Sequence, residues 1–239
     1  MRKNQVITYT RQWAMEIVAF ARSKDETRYN LAGFNLEPDG EFAADGFRRK
    51  GRLVATDGCR LAWQEYAPYP PDGIKGLLDE HGQPLAGEFP DYKALLPGPP
   101  NIVFQVSSDG DWLAALKTIA RLDKRPFGEL AYDGERLTAS LKLASPNVMA
   151  TLMIPLAAGE PKPFKLGINL AWLWDAIDAA RRSDGRGRWY VRVSLVDHMS
   201  PIQIDNEHGF YSITMPWRTD GGFCWKPDTE QAESTEPAA

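Results

Sequence analysis

Histidine, aspartate and cysteine side chains are the residues of this sequence best suited to acid-base, nucleophilic or metal chemistry. The histidines His81, His198 and His208 have no paired ligand spacing, and the sequence contains no Gly-rich phosphate loop and no nucleophile elbow. Asp57 lies in the segment ATDG, where an aspartate before glycine is far more often turn-forming than catalytic. We therefore expect no catalytic activity.

The two cysteines, Cys59 and Cys224, are too few for a disulfide scaffold and have no metal-ligand spacing. Both are expected to be free thiols, and neither a metal nor another cofactor is expected. Net charge is -4, which argues against a generally basic nucleic-acid binder. Any contact with DNA must therefore come from a local basic surface.

Composition indicates a soluble globular protein. The 239 residues are 43% hydrophobic and 25% charged, which is enough to bury the core of one large or two modest domains. No run approaches the roughly 20 apolar residues of a membrane helix, and the first residues, MRKNQVITYTRQ, lack the apolar core of a signal peptide. A cytoplasmic location without membrane contact is expected.

Hydrophobic periodicity divides the first hundred residues into a structured segment and a connector. Thr10 is a candidate N-cap for a helix over residues 11–23, in which Trp13, Ile17 and Phe20 share one face. Strands are predicted at residues 5–9, 29–36, 51–55 and 60–66, with a turn at 57–58 and a polar loop at 38–50. Residues 67–100 are rich in Pro and Gly, which indicates a long connector without a helix.

A pattern of strand, helix and further strands then occurs twice from residue 101 onwards. The first copy has a predicted helix at 110–121, capped by Ser108 or Asp109, and the second has a helix ending at 182, capped by Asn169. Further strands are predicted at 128–131, 136–143, 148–154, 164–168, 189–195, 202–205 and 210–215. Two such copies predict an α+β domain in which helices pack on antiparallel sheet. The tail from residue 219 is expected to be disordered.

Four segments, in this order, resemble a known family: RYNLAGFNLE (28–37), LVATDGCRLA (53–62), FPDYKALLP (89–97) and SPIQIDNEHGFYSITMPWR (200–218). The family is the bacterial sliding clamp, the beta subunit of DNA polymerase III. The resemblance covers most of residues 5–218 in scattered blocks. It implies a DNA-clamp-like fold, in which each domain has two helix-on-sheet halves and several domains form a ring around duplex DNA.

The same resemblance implies about one and a half clamp domains. Residues 1–66 correspond to the first half of the family's second domain, and residues 101–218 to its complete third domain. The connector at 67–100 takes the place of the missing half-domain, the family's first domain is absent, and residues 219–239 form the tail.

Clamps bind their clients in an apolar cleft between the second and third domains, and the matched motifs imply its lining here. The expected walls are Leu31, Thr56, Gly58, Cys59, Arg60, Leu61 and Pro97 on one side, and Met199, Pro201, Ile213, Met215, Pro216 and Arg218 on the other. A client peptide of the Gln-x-x-Leu-Phe kind would place two apolar side chains between them. The alternative interpretation is that the leucine, isoleucine and methionine residues are ordinary core residues of strands.

The sequence departs from the family pattern at two positions of this cleft. Cys59 stands where the family usually has His, and Trp217 stands where a smaller apolar residue is usual. Both departures are expected to alter peptide preference without closing the cleft.

Basic residues cluster around the three long predicted helices. They are Arg11, Arg22 and Lys24 at the first, Lys117, Arg121, Lys124 and Arg125 at the second, and Arg181, Arg182, Arg186 and Arg188 at the third. They could form an inner surface that contacts phosphates without reading sequence. Equally, they could be cations that interact with the negative ends of helix dipoles. Trp13, Trp112 and Trp174 are expected to pack in the core rather than to stack on bases.

Two functional hypotheses follow from the resemblance. In the first, a clamp-like DNA replication protein, monomeric or a small homo-oligomer, captures clamp-binding peptides of DNA polymerase subunits and repair proteins and modulates or competes with a full clamp. In the second, copies assemble into a closed ring that encircles duplex DNA as a processivity clamp, which requires complementary edges. The missing half-domain removes one such edge and favours the first hypothesis.

Overall fold

The computed structural model describes residues 10–25, 27–42, 49–66, 75–107, 110–143, 148–184, 190–197 and 200–216. Within them the α-helices are α1 (Arg11–Val18), α2 (Tyr29–Ala32), α3 (Asp111–Ile119) and α4 (Leu170–Ser183), and short 3-10 helices lie at Ala19–Ala21 and, in the connector, at Lys93–Leu95. The first strands are β1 (Phe34–Phe42), β2 (Arg49–Thr56), β3 (Arg60–Tyr66), β4 (Gly76–Leu78), β5 (Ile102–Ser107), β6 (Phe127–Tyr132) and β7 (Leu137–Lys142). The later strands are β8 (Met149–Ile154), β9 (Leu156–Ala158), β10 (Phe164–Asn169), β11 (Tyr190–Leu195), β12 (Ile202–Asp205) and β13 (Phe210–Thr214).

These strands form two antiparallel sheets. The larger sheet has the order β4-β1-β2-β3-β13-β12-β11-β5-β9, and the smaller has the order β10-β6-β7-β8. The first strand of each repeated copy pairs in the sheet of the other copy, because β5 pairs with β11 and β10 pairs with β6. The two copies therefore share one core, as the repeat and the α+β class predicted.

Three helices lie side by side, with α4 in contact with α1 on one flank and with α3 on the other. Local capping explains where α1 and α4 begin. The Thr10 hydroxyl accepts the Trp13 amide at 3.2 Å, and the Asn169 side-chain oxygen accepts the amides of Ala171 and Trp172 at 2.9 and 3.3 Å. Both predicted N-caps are thus confirmed. The α3 cap candidates, Ser108 and Asp109, lie outside the described residues.

The apolar faces of these helices pack as their periodicity predicted. The side chains Leu170, Leu173 and Ile177 of α4 are buried to 1% exposure or less, and Ile17 of α1 is 2% exposed. Trp13 and Phe20 are only partly buried and pack against the same core. This core lies between the helices and the two sheets and joins the first segment to the later repeat.

The predicted strand at residues 29–36 is wrong in its first half. Residues Tyr29–Ala32 form one helical turn, in which the amides of Leu31 and Ala32 donate to the Arg28 carbonyl at 2.8 and 3.0 Å. Before it, the Asp25 carboxylate accepts the backbone and hydroxyl groups of Thr27. Local hydrogen bonds of this kind compete with extended structure and delay the strand to Phe34.

The polar segment at residues 38–50 is also more ordered than predicted. Strand β1 continues through Pro38 to Phe42 and β2 begins at Arg49, because the two strands pair along a long hairpin. Residues 43–48 lie outside the described part, as do the predicted strand at 5–9 and the tail. Periodicity also gave no sign of the three-residue strand β9, which pairs with β5.

The connector contributes one strand to the larger sheet. β4 pairs with the start of β1, and its residues Leu77 and Leu78 are 4% and 0% exposed. Beside them, Gly33 packs so closely on the Leu78 carbonyl that a side chain at this position would collide with it. This short strand completes the β1 edge of the larger sheet. Among the described helices, none is both long and apolar enough to cross a bilayer.

Candidate functional site

The turn between β2 and β3 is held by its own side chains. One Asp57 oxygen accepts the amides of Cys59 and Arg60 at 2.9 and 3.0 Å. The Thr56 hydroxyl accepts the Gly58 amide at 3.2 Å and donates to the Arg60 carbonyl at 2.8 Å. Gly58 has a φ of 91°, which favours glycine. Asp57 is therefore a turn-forming residue, as the sequence predicted.

Strand β13 brings the end of the chain to this turn. Ile213 lies opposite Leu61 in the sheet, and the Met215 amide donates to the Cys59 carbonyl at 3.0 Å. Because Ile202 pairs with Thr214, the preceding Pro201 lies next to Met215. The motif around residues 56–61 and the motif around residues 200–216, far apart in sequence, thus meet at one end of β3, β13 and β12.

The side chain of Leu31 lies next to the same turn. Its Cδ1 atom lies 4.0 Å from the position that a Cβ atom would take on Gly58. We call Leu31, Gly58, Cys59, Met215 and Pro201 the junction row. Gly58 and Cys59 are exposed and Met215 is 46% exposed, whereas Leu31 is 9% exposed. The row therefore offers exposed surface, including the apolar side chain of Met215, to a ligand.

A small apolar cluster lies below the junction row, on the sheet face that points away from the helices. It consists of Val54, Leu61, Tyr92 and Ile213, with Trp63, Phe89 and Tyr211 packed against it. Leu61 and Ile213 are only 3% and 4% exposed. They form a floor that is largely closed in this structure.

Tyr92 covers this floor from the segment FPDYKALLP. Its ring packs edge-on against Phe89 with centroids 6.2 Å apart, and its hydroxyl donates to Glu37 at 3.1 Å. Burial, and then the negative charge of Glu37, raise the pKa of Tyr92 to about 12. The phenol is therefore a neutral donor that fixes the segment to β1.

Aromatic and charged side chains extend the same face. Trp63 stacks on Tyr211 with centroids 4.0 Å apart, and the Arg52 guanidinium lies 4.9 Å from the centre of a Trp63 ring. The Tyr211 hydroxyl donates to Gln203 at 3.1 Å. These contacts hold β2, β3, β13 and β12 in one rigid face next to the junction row.

Sequence reasoning missed Tyr92, Phe89 and Trp63. The sequence did contain a sign of their position, because Tyr92 and Phe89 belong to the matched FPDYKALLP segment. Only Pro97 of that segment was included in the expected lining of the cleft. Trp63 follows Leu61 by two residues, so strand alternation places both side chains on one face. Pro97 and Pro216 are partly exposed. Met199, Trp217 and Arg218 lie outside the described residues.

Arg60 differs from the other residues of the predicted cleft. Its side chain lies on the helix side of the sheet, where it pairs with Asp57 at 2.9 Å and with Asp175 of α4 at 2.7 Å. The rings of Phe20 and Trp172 lie 5.5 Å from its guanidinium carbon. The side chain is 10% exposed and does not join the junction row.

The predicted basic residues that the structure describes lie on or next to the three adjacent helices, and several have partners there. Arg22 pairs with Glu80 at 3.0 Å, and Arg181 and Arg182 both pair with Asp178, at 2.8 and 3.0 Å. The Lys117 ammonium lies 4.4 Å from the centre of a Trp174 ring. Within the described part of the chain, the cations without an ion pair include Arg11, Lys24, Arg121, Lys124 and Arg125.

The two explanations for these cations therefore apply to different residues. Arg181 and Arg182 lie in the last turn of α4 and Lys117 in the last turn of α3, whereas the last turn of α1 carries no cation. Arg186 and Arg188 lie outside the described residues. Arg121, Lys124 and Arg125 are exposed beyond the end of α3, as Lys24 is beyond α1, and are accessible to an anionic partner.

The described residues contain no group of three or more His, Cys, Asp or Glu side chains arranged for a metal ion. His81 lies 3.7 Å from Glu80 and its amide donates to the Asp79 carboxylate at 2.8 Å, whereas His208 lies 3.0 Å from Asp184. Cys59 is a free, exposed thiol. His198 and Cys224 lie outside the described residues.

Solved bacterial sliding clamps have the same fold. A Caulobacter crescentus beta sliding clamp, with polyethylene glycol bound to its proposed beta-motif tethering region, aligns with a TM-score of 0.69 at 21% identity and covers 86% of this chain and 62% of that chain. A Pseudomonas aeruginosa sliding clamp bound to griselimycin gives a TM-score of 0.67 at 18% identity, covering 87% and 63%. The Bacillus subtilis sliding clamp gives 0.68 at 19% identity, covering 86% and 61%.

No protein-family model and no curated protein sequence matches the chain. The sliding-clamp fold predicted from the sequence motifs is confirmed by these solved structures. The chain spans about three fifths of the length of the clamps that it resembles, 62% in the case of the Caulobacter protein.

Proposed function

We propose that this chain is a non-catalytic, clamp-like DNA replication protein that binds the clamp-binding peptide motifs of DNA polymerases and repair factors. The observation that carries the proposal is the junction row. It joins two motifs that are distant in sequence, at Cys59 and Met215, above an apolar floor of Leu61 and Ile213. Partly exposed apolar side chains beside an ordered turn suit a short extended peptide.

Two clamps of the same fold support a ligand-binding role. The Pseudomonas aeruginosa clamp is bound to griselimycin, and the Caulobacter crescentus clamp carries polyethylene glycol at its proposed beta-motif tethering region. Both proteins thus hold ligands on the fold that this chain adopts.

The expected affinity follows from the size of the contact. Burial of two large apolar side chains contributes about 3 to 6 kcal/mol, and each backbone hydrogen bond adds about 1 kcal/mol. Together they approach micromolar affinity. This strength suits clients that exchange on one site, which is the role of a module that modulates or competes with a full clamp.

Replacement of Met215 by alanine is expected to weaken binding of a fluorescent Gln-x-x-Leu-Phe peptide by about tenfold or more. Met215 is 46% exposed at the row, so its truncation removes ligand contact without opening a core cavity. Leu61 is a poorer choice, because it is 3% exposed and its truncation would also lower the stability of the fold. Peptide titration by fluorescence anisotropy measures the change.

Met153→Ala is the matched control for this titration. Met153 is 64% exposed, but it lies on β8 in the smaller sheet. Its truncation should leave peptide affinity unchanged within twofold. Equal affinity in wild type and Met215→Ala would reject the junction row as the binding site, and absence of binding in the wild type would reject the proposed function.

Duplex DNA is a second proposed partner, bound without sequence preference. Arg121, Lys124 and Arg125 support it, because they are exposed and form no ion pair within the described part of the chain. Contacts of this type neutralise phosphates and weaken steeply as salt is added.

The alternative function, a ring-forming homo-oligomeric processivity clamp that encircles DNA, is favoured by one observation. β8 is an edge strand of the smaller sheet, and its Met149 and Met153 are 63% and 64% exposed. An exposed apolar edge can pair with another chain. The β1 edge of the larger sheet, by contrast, is completed by the short strand β4.

Sedimentation, combined with retention on circular and on linear DNA, distinguishes the two roles. The binding module is expected to sediment as a monomer of 26.7 kDa or as a small oligomer, and to dissociate equally from circular and linear DNA. A stable trimer or tetramer that stays on circular DNA but slides off linear DNA would overturn the module in favour of the ring. Truncation of Met149 and Met153 would then be expected to break the oligomer.

A further inference from the structure

Arg60 links the two sides of the larger sheet. Its backbone belongs to the turn that borders the junction row, whereas its guanidinium lies among the helices. There Nε donates to Asp57 at 2.9 Å and Nη1 donates to Asp175 of α4 at 2.7 Å. The rings of Phe20 and Trp172 flank the same group.

We infer that Arg60 is a positioning residue, which holds the turn at residues 57–59 in its binding conformation by fixing it to Asp175 of α4. The inference rests on the proposed peptide-binding function. It assigns to Arg60 a role that needs no contact with the peptide, and it extends the machinery of the site to a residue of α4.

The two oxygens of Asp57 explain how the turn is held. One oxygen accepts the amides of Cys59 and Arg60, and the other accepts Nε of Arg60. A carboxylate held by the planar guanidinium has a fixed orientation, and the turn amides that it accepts are fixed with it. Arg28 adds one longer contact, from Nη1 to the Asp57 carbonyl at 3.4 Å.

Asp175 supplies an anchor outside the turn. It lies on α4, whose first turn is capped by Asn169 and whose end is held by Asn206, which donates to the Ala180 carbonyl at 2.8 Å. The Arg60 and Asp175 side chains are 10% and 27% exposed. Burial raises the pKa of the Asp175 carboxyl, although the hydrogen bond from Arg60 opposes the shift.

A loosened turn has a specific kinetic consequence. If only a fraction of molecules hold the binding conformation, the apparent dissociation constant rises by the inverse of that fraction. The peptide then associates more slowly but, once bound, leaves at the wild-type rate. A side chain that touches the peptide behaves differently, since its loss accelerates dissociation.

Stopped-flow binding of the fluorescent Gln-x-x-Leu-Phe peptide to the full chain tests the inference. Asp175→Ala and Arg60→Lys are each expected to slow association roughly fivefold and to leave the dissociation rate within twofold. The double variant should associate no more slowly than the slower single variant, because both substitutions disrupt the same Arg60–Asp175 ion pair. Faster dissociation in Arg60→Lys, or unchanged association in both, would overturn the inference.

Asp178→Ala is the matched control, on the same helix and one turn further along. Its carboxylate pairs with Arg181 and Arg182 and makes no contact with the β2–β3 turn. It should bind the peptide at the wild-type rate. If it slows association as much as Asp175→Ala does, the effect belongs to α4 in general and the positioning role is rejected.

Amide hydrogen exchange separates this inference from the proposed function. The amides of Cys59 and Arg60 should exchange faster in Asp175→Ala than in wild type, and at the wild-type rate in Asp178→Ala. This measurement needs no peptide. If the wild type binds no peptide, the proposed function is rejected. Unchanged exchange of these two amides in Asp175→Ala would reject the positioning role, whether or not the peptide binds.

Discussion

Replacing Tyr92 by alanine is expected to lower the free energy of unfolding by about 3 to 5 kcal/mol, as for other buried aromatic side chains. Tyr92 is 3% exposed and packs on Val54, Leu61 and Ile213. Its truncation leaves a cavity above the floor of the junction and removes the hydroxyl donor to Glu37. Urea unfolding followed by tryptophan fluorescence measures the loss.

Two further variants divide this effect into its parts. Tyr92→Phe keeps the ring and loses only the hydroxyl hydrogen bond, so it should cost about 1 kcal/mol. Leu95→Ala, at a residue of the same segment that is 66% exposed, should change stability by less than about 0.5 kcal/mol. A Tyr92→Ala loss no larger than that of Leu95→Ala would show that the segment does not cover the floor in solution.

Phe104→Ala is expected to have a comparable effect, about 3 to 5 kcal/mol, at the contact between the two sheets. Phe104 is 1% exposed on β5 of the larger sheet, and its ring stacks on Phe164 of β10 with centroids 5.7 Å apart. Phe164 in turn stacks on Tyr132 of β6. The three rings join the two sheets, so the unfolding transition should shift as a whole.

Val103 provides the control within the same strand. It precedes Phe104, points to the other face and is 43% exposed. Val103→Ala should therefore leave the urea midpoint nearly unchanged. Similar losses in the two variants would contradict the assignment of Phe104 to the junction between the sheets.

The sequence predicted the elements with strong periodicity well. The helix α4, its Asn169 cap and its inward residues Leu170, Leu173 and Ile177 were all predicted from local pattern. Local reasoning failed where side chains redirect the backbone, as at Thr27 before the helical turn of Tyr29–Ala32. Local reasoning also could not predict that the first strand of each copy pairs in the sheet of the other copy. Pairing between β5 and β11 depends on contacts distant in sequence.

At the candidate site, too, some features could be predicted from the sequence and others could not. Motif order correctly brought the segments of Gly58 and Met215 together, and strand pairing explains how. Side-chain direction was the harder part. Arg60 and Leu61 are adjacent in one strand, so they must point to opposite faces, and only Leu61 joins the floor. The covering position of Tyr92 depends on the path of the connector, which has no periodic signal.

The exchange of first strands between the two copies has a consequence for synthesis on the ribosome. Both sheet neighbours of β5, which are β9 and β11, are translated after it, and β11 follows only once α4 is complete. A nascent chain that has reached α3 therefore carries an unpaired strand on both flanks. Slow closure of such non-local pairs leaves intermediates prone to aggregation. We expect the second half of the molecule to fold only when nearly all of it has left the exit tunnel.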